Sequence, residues 1–176
     1  ALRTLDQAPQ RTGAAKPAPA AELAVRRRAS GVSDTHEDPT FGRLTWDGLL
    51  NCWLGGVDLR PDFHVEITVS GTDDDRFMGF AAAEDSLAWL REHEPEARRQ
   101  VAAEMAELYN DAWTDEAEPV SAEEFAARIE LLRASLGEDG SLLLSYSDGP
   151  TSMFGGHLLD AEFGPGKEYR GTHLIG

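Results

Sequence analysis

The cleanest hydrophobic pattern in the chain runs from Phe63 to Ser70. Phe63, Val65, Ile67 and Val69 alternate with His64, Glu66, Thr68 and Ser70. A period of two predicts a strand with one buried face and places His64 on the wet side. Upstream, one apolar run from Phe41 to Trp46 and another from Leu49 to Leu54 flank Asp47-Gly48. Asp-Gly between two such runs predicts a tight hairpin. After the polar stretch Gly71 to Arg76 and the apolar Phe77-Met78-Gly79-Phe80, the period changes to three and four residues.

That change predicts helices. The first begins near Ala82, turns Leu87, Leu90 and Trp89 inward, and is interrupted at Pro95. Proline suits the opening turn of a second helix, with Glu94 and Glu96 near its positive end. In that second helix Val101, Met105, Leu108, Tyr109 and Ala112 form an inward stripe opposite Arg98, Arg99, Glu104, Glu107 and Asp111. Ser121 and Glu124 have capping-box spacing and open a short third helix anchored by Phe125 and Ile129.

From Ile129 the pattern is again extended. A strand to Leu136 is followed by a turn at Gly137 to Gly140 and a strand from Leu142 to Tyr146. The polar turn Ser147-Asp148-Gly149-Pro150 leads to a second strand opened by Phe154-Gly155-Gly156-His157, where the glycine pair is expected to permit a bulge. Gly164-Pro165-Gly166 makes a further turn, and Thr172 to Ile175 supplies a last strand. The order of strands, then helices, then strands predicts an α+β fold, with a mainly antiparallel sheet and the central helical section packed on one face.

Residues 1–32 are rich in Ala, Pro and Arg and poor in large apolar groups, so burial does not offset their ordering entropy. They are expected to form a flexible basic arm, and residues 33–176 a single acidic domain. Charge sharpens the division: 32 acidic against 16 basic residues give −16, and the arm's six basic and two acidic residues (+4) leave −20 on the body. Such a body repels nucleic acid and anionic membranes and speeds encounter with basic proteins at low salt. The same acidity also keeps a protein in solution.

A lone cysteine, Cys52, forms no intrachain disulfide, which suits a reducing compartment; its strand position suggests a buried, inert thiol. No apolar run reaches the roughly 18 residues of a membrane helix, and no early segment resembles a secretion signal, so a cytoplasmic location is expected. The chain begins with Ala1 rather than Met, as a trimmed chain or a fragment does.

Catalytic chemistry has little to rest on. The histidines at 36, 64, 93, 157 and 173 lack metal-ligand spacing, the three aspartates Asp73, Asp74 and Asp75 lack the alternation of a calcium loop, and no phosphate-binding glycine motif is present. No metal or cofactor is implied. One constellation is weighed: Asp148, His157 and Asp160, on adjoining strands, would suit a general base oriented by a carboxylate. Ser147 and Ser152 lack the glycine-flanked elbow of a serine nucleophile. The structural alternative for His157 is a loop hydrogen bond. For Trp46, Trp53, Trp89 and Trp113 a ligand groove stands against core packing.

Several segments recur together in one family. Leu108-Tyr109-Asn110-Asp111-Ala112-Trp113, the acidic loop to Pro119, Ser121-Ala122-Glu123-Glu124-Phe125, the Gly137-to-Gly140 turn, Tyr146-Ser147-Asp148-Gly149, Phe154-Gly155-Gly156-His157 and Ile175-Gly176 resemble the bacterial domain of unknown function 2262. The likeness runs from about Phe41 to the end. Gly155 departs from it, since the family pattern has an aromatic residue between the phenylalanine and Gly-His. The resemblance implies a compact bacterial domain and assigns no catalytic residue.

The reading that follows is a non-enzymatic binding protein whose acidic surface engages a basic protein partner, in the manner of an immunity protein that neutralises a toxin. Asp73, Asp74, Asp75, Asp115, Glu116 and Glu118 are its candidate contacts. The alternatives are a hydrolase-like enzyme with His157 as general base, and an acidic DNA mimic.

Overall fold

Alternation and turn chemistry build the first half of the sheet. The computed structural model describes residues 34–72, 74–113, 119–149 and 153–176. The expected basic arm, 1–32, lies outside them. Strands β1 (Thr35–Asp38), β2 (Gly42–Asp47), β3 (Cys52–Arg60) and β4 (Phe63–Ser70) pair antiparallel in succession. In β4, Val65, Ile67 and Val69 are buried and His64 and Glu66 exposed, as the period of two requires.

The expected two-residue hairpin at Asp47-Gly48 is instead a four-residue turn. The Asp47 carboxylate accepts hydrogen bonds from the amides of Leu49 and Leu50 at 2.9 and 3.2 Å, drawing both leucines out of the strand. Asn51 closes the turn in the left-handed region at φ 51°. β3 therefore begins at Cys52 and runs on to Arg60.

Helix α1 (Phe80–Ala112) is one continuous 33-residue helix, so the break expected at Pro95 does not occur. A proline inside a helix costs about 3 kcal/mol. Anchors on both sides offset that cost: Leu90, Ala97, Val101 and Met105 are fully buried, and the buried Glu94 takes the guanidiniums of Arg98 and Arg60. The inward side continues past Met105 through the buried Ala106 to Tyr109. Tyr109 packs edge-on against Phe125 and Phe154, whereas Leu108 and Ala112 are exposed.

Helix α2 (Ala122–Arg128) opens on the capping box read from sequence. The Ser121 hydroxyl accepts from the Glu124 amide, and the Glu124 carboxylate accepts from the Ser121 amide. Phe125 is buried within it, and Ile129, expected as a second anchor, forms its buried C-cap.

β5 (Glu130–Leu136) pairs parallel with β4; β6 (Leu142–Ser147), β7 (Leu158–Phe163) and β8 (Tyr169–Ile175) then add antiparallel. The eight strands form one sheet in sequence order, with β1 and β8 at its edges. The fold is α+β, with a mostly antiparallel sheet and the helices between β4 and β5. Leu131, Ala134, Leu136, Leu144, Tyr146, Leu159, Ala161 and Phe163 share one core with Leu87, Leu90, Val101 and Met105 of α1. The opposite face carries cross-strand pairs such as Glu66 with Arg133 and Ser145 with Asp160. Gly155 and Gly156 do not form a bulge: both have positive φ (64° and 90°) and make the turn before β7. The bulges lie in the β3/β4, β5/β6 and β7/β8 ladders, the last beside Gly171 at φ 140°.

Replacing Ser121 with Ala removes one half of the capping box. It is expected to lower unfolding free energy by about 1 kcal/mol, measured by urea titration, with the far-ultraviolet circular dichroism of the native state unchanged.

Candidate functional site

At one end of the sheet, two connections are laced together. One is the β2–β3 turn; the other runs from β4 to α1. The Gly71 amide donates to the Asn51 carbonyl at 3.0 Å, and the Trp53 indole N–H donates to the Arg76 carbonyl at 2.7 Å. Glycine is needed at 71, because a Cβ there would stand 2.6 Å from the Arg76 carbonyl oxygen and 3.0 Å from the Trp46 ring. Asp75 fixes the second connection by accepting from the Phe77 amide at 3.0 Å.

Aromatic packing makes this end rigid. Trp53, itself buried, stacks on Phe77 with centroids 5.3 Å apart; His36 meets Phe77 edge-on at 4.8 Å, and Phe80 closes the group. The Arg76 guanidinium lies 5.0 Å over the Trp46 ring and pairs with Asp34. Four large apolar side chains nevertheless face water: Leu49 is 76% exposed, Leu50 62%, Phe77 47% and Met78 45%. Asp74 and Asp75 stand exposed beside them, and the Glu138 backbone abuts Gly79. Of the six acidic contacts expected from sequence, Asp74 and Asp75 therefore fall here; Asp73, Asp115, Glu116 and Glu118 lie outside the described residues.

The Asp148, His157 and Asp160 constellation does not assemble around a common point. Asp148 is buried and accepts from the Phe154 amide at 2.8 Å, bracing the turn before β7. Asp160 accepts from the Ser145 hydroxyl at 2.6 Å on the opposite face of the sheet from the core. His157 is half-buried, its ring 6.4 Å from that of Trp113 and against the backbone of Gly176. Among the described residues no side-chain hydrogen bond joins His157 to either carboxylate. A depression of about 330 Å³ on the open sheet face is lined by His64, Glu66, Leu132, Arg133, Ser145 and Leu158. Its polar groups are already engaged: His64 Nδ1 with Asp58 at 2.9 Å, Arg133 with Glu66 at 3.1 Å.

Two features escape sequence reasoning because they join distant positions. Glu94, in the middle of α1, is buried and held by Arg98 at 2.6 Å and Arg60 at 3.1 Å. The Tyr146 hydroxyl lies close enough to feel both Glu94 and Arg98, yet it has no hydrogen-bond partner among the described residues. Burial, reinforced by Glu94, holds that phenol well above its ordinary pKa. The tryptophans divide: Trp53 is core, Trp46 and Trp89 are half-buried against it, and Trp113 is exposed. Cys52 is buried at the start of β3, and burial, with Asp47 adding to it, pushes its thiol pKa up.

No group of three or more His, Cys, Asp or Glu poised to hold a metal occurs among the described residues, and no described helix is long and apolar enough to cross a membrane. A family model described as an uncharacterized protein conserved in bacteria (DUF2262) matches residues 38–168. No curated protein matches the chain, and no solved structure matches it.

Two substitutions probe these environments. Tyr146→Phe removes a buried hydroxyl that lacks a partner and is expected to raise unfolding free energy by about 1 kcal/mol; a loss of stability would reveal a hydrogen bond at that oxygen. Iodoacetamide should alkylate Cys52 in the native protein at least about tenfold more slowly than a free thiol at pH 8, and at the free rate in urea.

Proposed function

We propose that this chain, which belongs to the bacterial family DUF2262 of uncharacterized proteins, is a binding protein that engages a basic protein partner through its acidic surface. Toxin neutralisation by an immunity protein is a role that fits this chemistry. A tight, stoichiometric blocker needs a rigid scaffold and a charged face, and no reacting groups of its own.

The observation that carries the reading is how the body's cations are used. Arg43, Arg60, Arg76, Arg98, Arg99, Arg133 and Arg170 each sit beside a carboxylate, with Glu94 taking two of them. Lys167 is turned onto the Ser86 hydroxyl and the Gly140 carbonyl. In residues 33–176, 30 acidic residues stand against 10 basic ones, so these pairings leave a large excess of carboxylates. The surplus negative potential is therefore not cancelled locally and extends into solvent, where it steers a cationic surface. The enzyme reading has less support, since the Asp148 carboxylate takes the Phe154 amide and the Asp160 carboxylate takes the Ser145 hydroxyl.

The test is affinity against salt for a partner captured from the native bacterium and then purified. The partner should have an isoelectric point above neutrality, and its Kd should rise at least about tenfold between 50 and 500 mM NaCl. A partner that is itself acidic, or a Kd indifferent to salt, would overturn the proposal.

A further inference from the structure

The geometry points to the end formed by the β2–β3 turn and the β4–α1 connection as the docking surface for that partner. We infer that its occupant is a basic surface with an apolar centre, such as a segment in which Lys or Arg alternates with aliphatic side chains. This rests on the proposed binding function and adds where contact is made and what the contact needs.

Three observations converge. First, Leu49, Leu50 and Phe77 are the three most exposed large hydrophobic residues among the described residues, and together with Met78, 45% exposed, they belong to the two connections at this one end. Isolated exposed apolar residues need no explanation, but a group of them on neighbouring loops marks a contact site. Second, the group is held in place before any partner arrives. Asp47 fixes the amides of Leu49 and Leu50, Asp75 fixes that of Phe77, and the Phe77 ring rests on Trp53. A surface fixed in advance loses little entropy on binding, which is the property of interface anchors.

Third, the rim has one sign. Asp47, Asp74 and Asp75 surround the apolar residues, while the nearby cation, Arg76, is neutralised by Asp34. An apolar centre inside a charged rim is the anatomy of a protein interface. The rim also selects the occupant. Two copies meeting here would bring carboxylates near carboxylates, whereas a basic surface would meet opposite charge at the exposed Asp74 and Asp75.

The test uses the full chain and two synthetic peptides of equal charge, one alternating Lys with Leu and the other Lys with Ser, followed by amide chemical shifts and titration at 50 mM NaCl. The Lys/Leu peptide should bind at least about tenfold more tightly than Lys/Ser, shift the amides of residues 47–51 and 74–79, and lose most of that advantage with the Leu49→Ser/Leu50→Ser variant. Leu132→Ser, on the open sheet face, is the control and should leave affinity unchanged. If the peptides bind but the shifts fall elsewhere, or the double variant binds as well as the wild type, the docking surface is wrong while the acidic reading stands. If neither peptide binds at low salt, the acidic reading fails as well. A wild-type dimer that dissociates in the double variant would assign the surface to a second copy and overturn the basic occupant.

Discussion

β4 and β5 lie side by side and point the same way, and that pairing governs the rest of the architecture. Every other neighbouring pair in the sheet is antiparallel and, apart from the longer connection between β6 and β7, joined by a short turn. The chain leaving Ser70 must instead travel back along the sheet before Glu130 can begin the next strand, and a parallel connection of this kind needs a long crossover. α1 supplies it. A 33-residue helix spans about 50 Å, whereas an eight-residue strand spans about 27 Å. The helix is therefore longer than any one strand; its last turns pack Tyr109 on Phe125 and Phe154 while Leu108 on the other side faces solvent, and α2 brings the chain back. The same constraint separates the two ends of the molecule: Phe77 and Met78 stand where β4 exits, and His157, next to Trp113, stands where the helix finishes.

Elements whose cause is local were legible in the sequence. The β4 alternation, the Ser121–Glu124 capping box, the β6 and β7 strands around Asp148 and the burial of Cys52 each follow from residues within a few positions of one another. What was not legible depends on partners far along the chain. Pro95 looks like a helix break until Arg60, 34 residues upstream of Glu94, is seen holding the preceding residue. Leu49 and Leu50 look like strand residues until the Asp47 carboxylate is seen capping them, and Leu108 looks like part of the inward stripe until Tyr109 is seen taking the packed position beside it. The apolar site was hidden for the same reason. A leucine in a turn and a phenylalanine before a helix have the same pattern as core residues, and only the fold shows that they face outward together.

Glu94 shows how such a distant partner shapes the core. A buried carboxylate between two guanidiniums adds little net stability, because desolvation consumes most of the attraction. It can discriminate, since Arg60 at the end of β3 reaches the carboxylate that Arg98 already holds within α1, tying the helix to that strand. Removing Glu94 would leave both guanidiniums without their carboxylate, whereas removing one arginine leaves the other still paired. Nearby, the Tyr146 hydroxyl, buried and without a partner among the described residues, lies beside the stretch of helix that carries the proline.

The sheet is open, and its two outermost strands decide how it behaves in a crowd of identical molecules. β1 is only four residues long, and β8 is bent by the irregularity opposite Glu162 and Phe163 and by Gly171, with Arg170 and His173 projecting from it. Neither margin offers the flat, uncharged template onto which a neighbouring chain would add its own strand. An eight-stranded sheet left unclosed is thereby kept from growing into a fibre, and the molecule's sociability is confined to its loops.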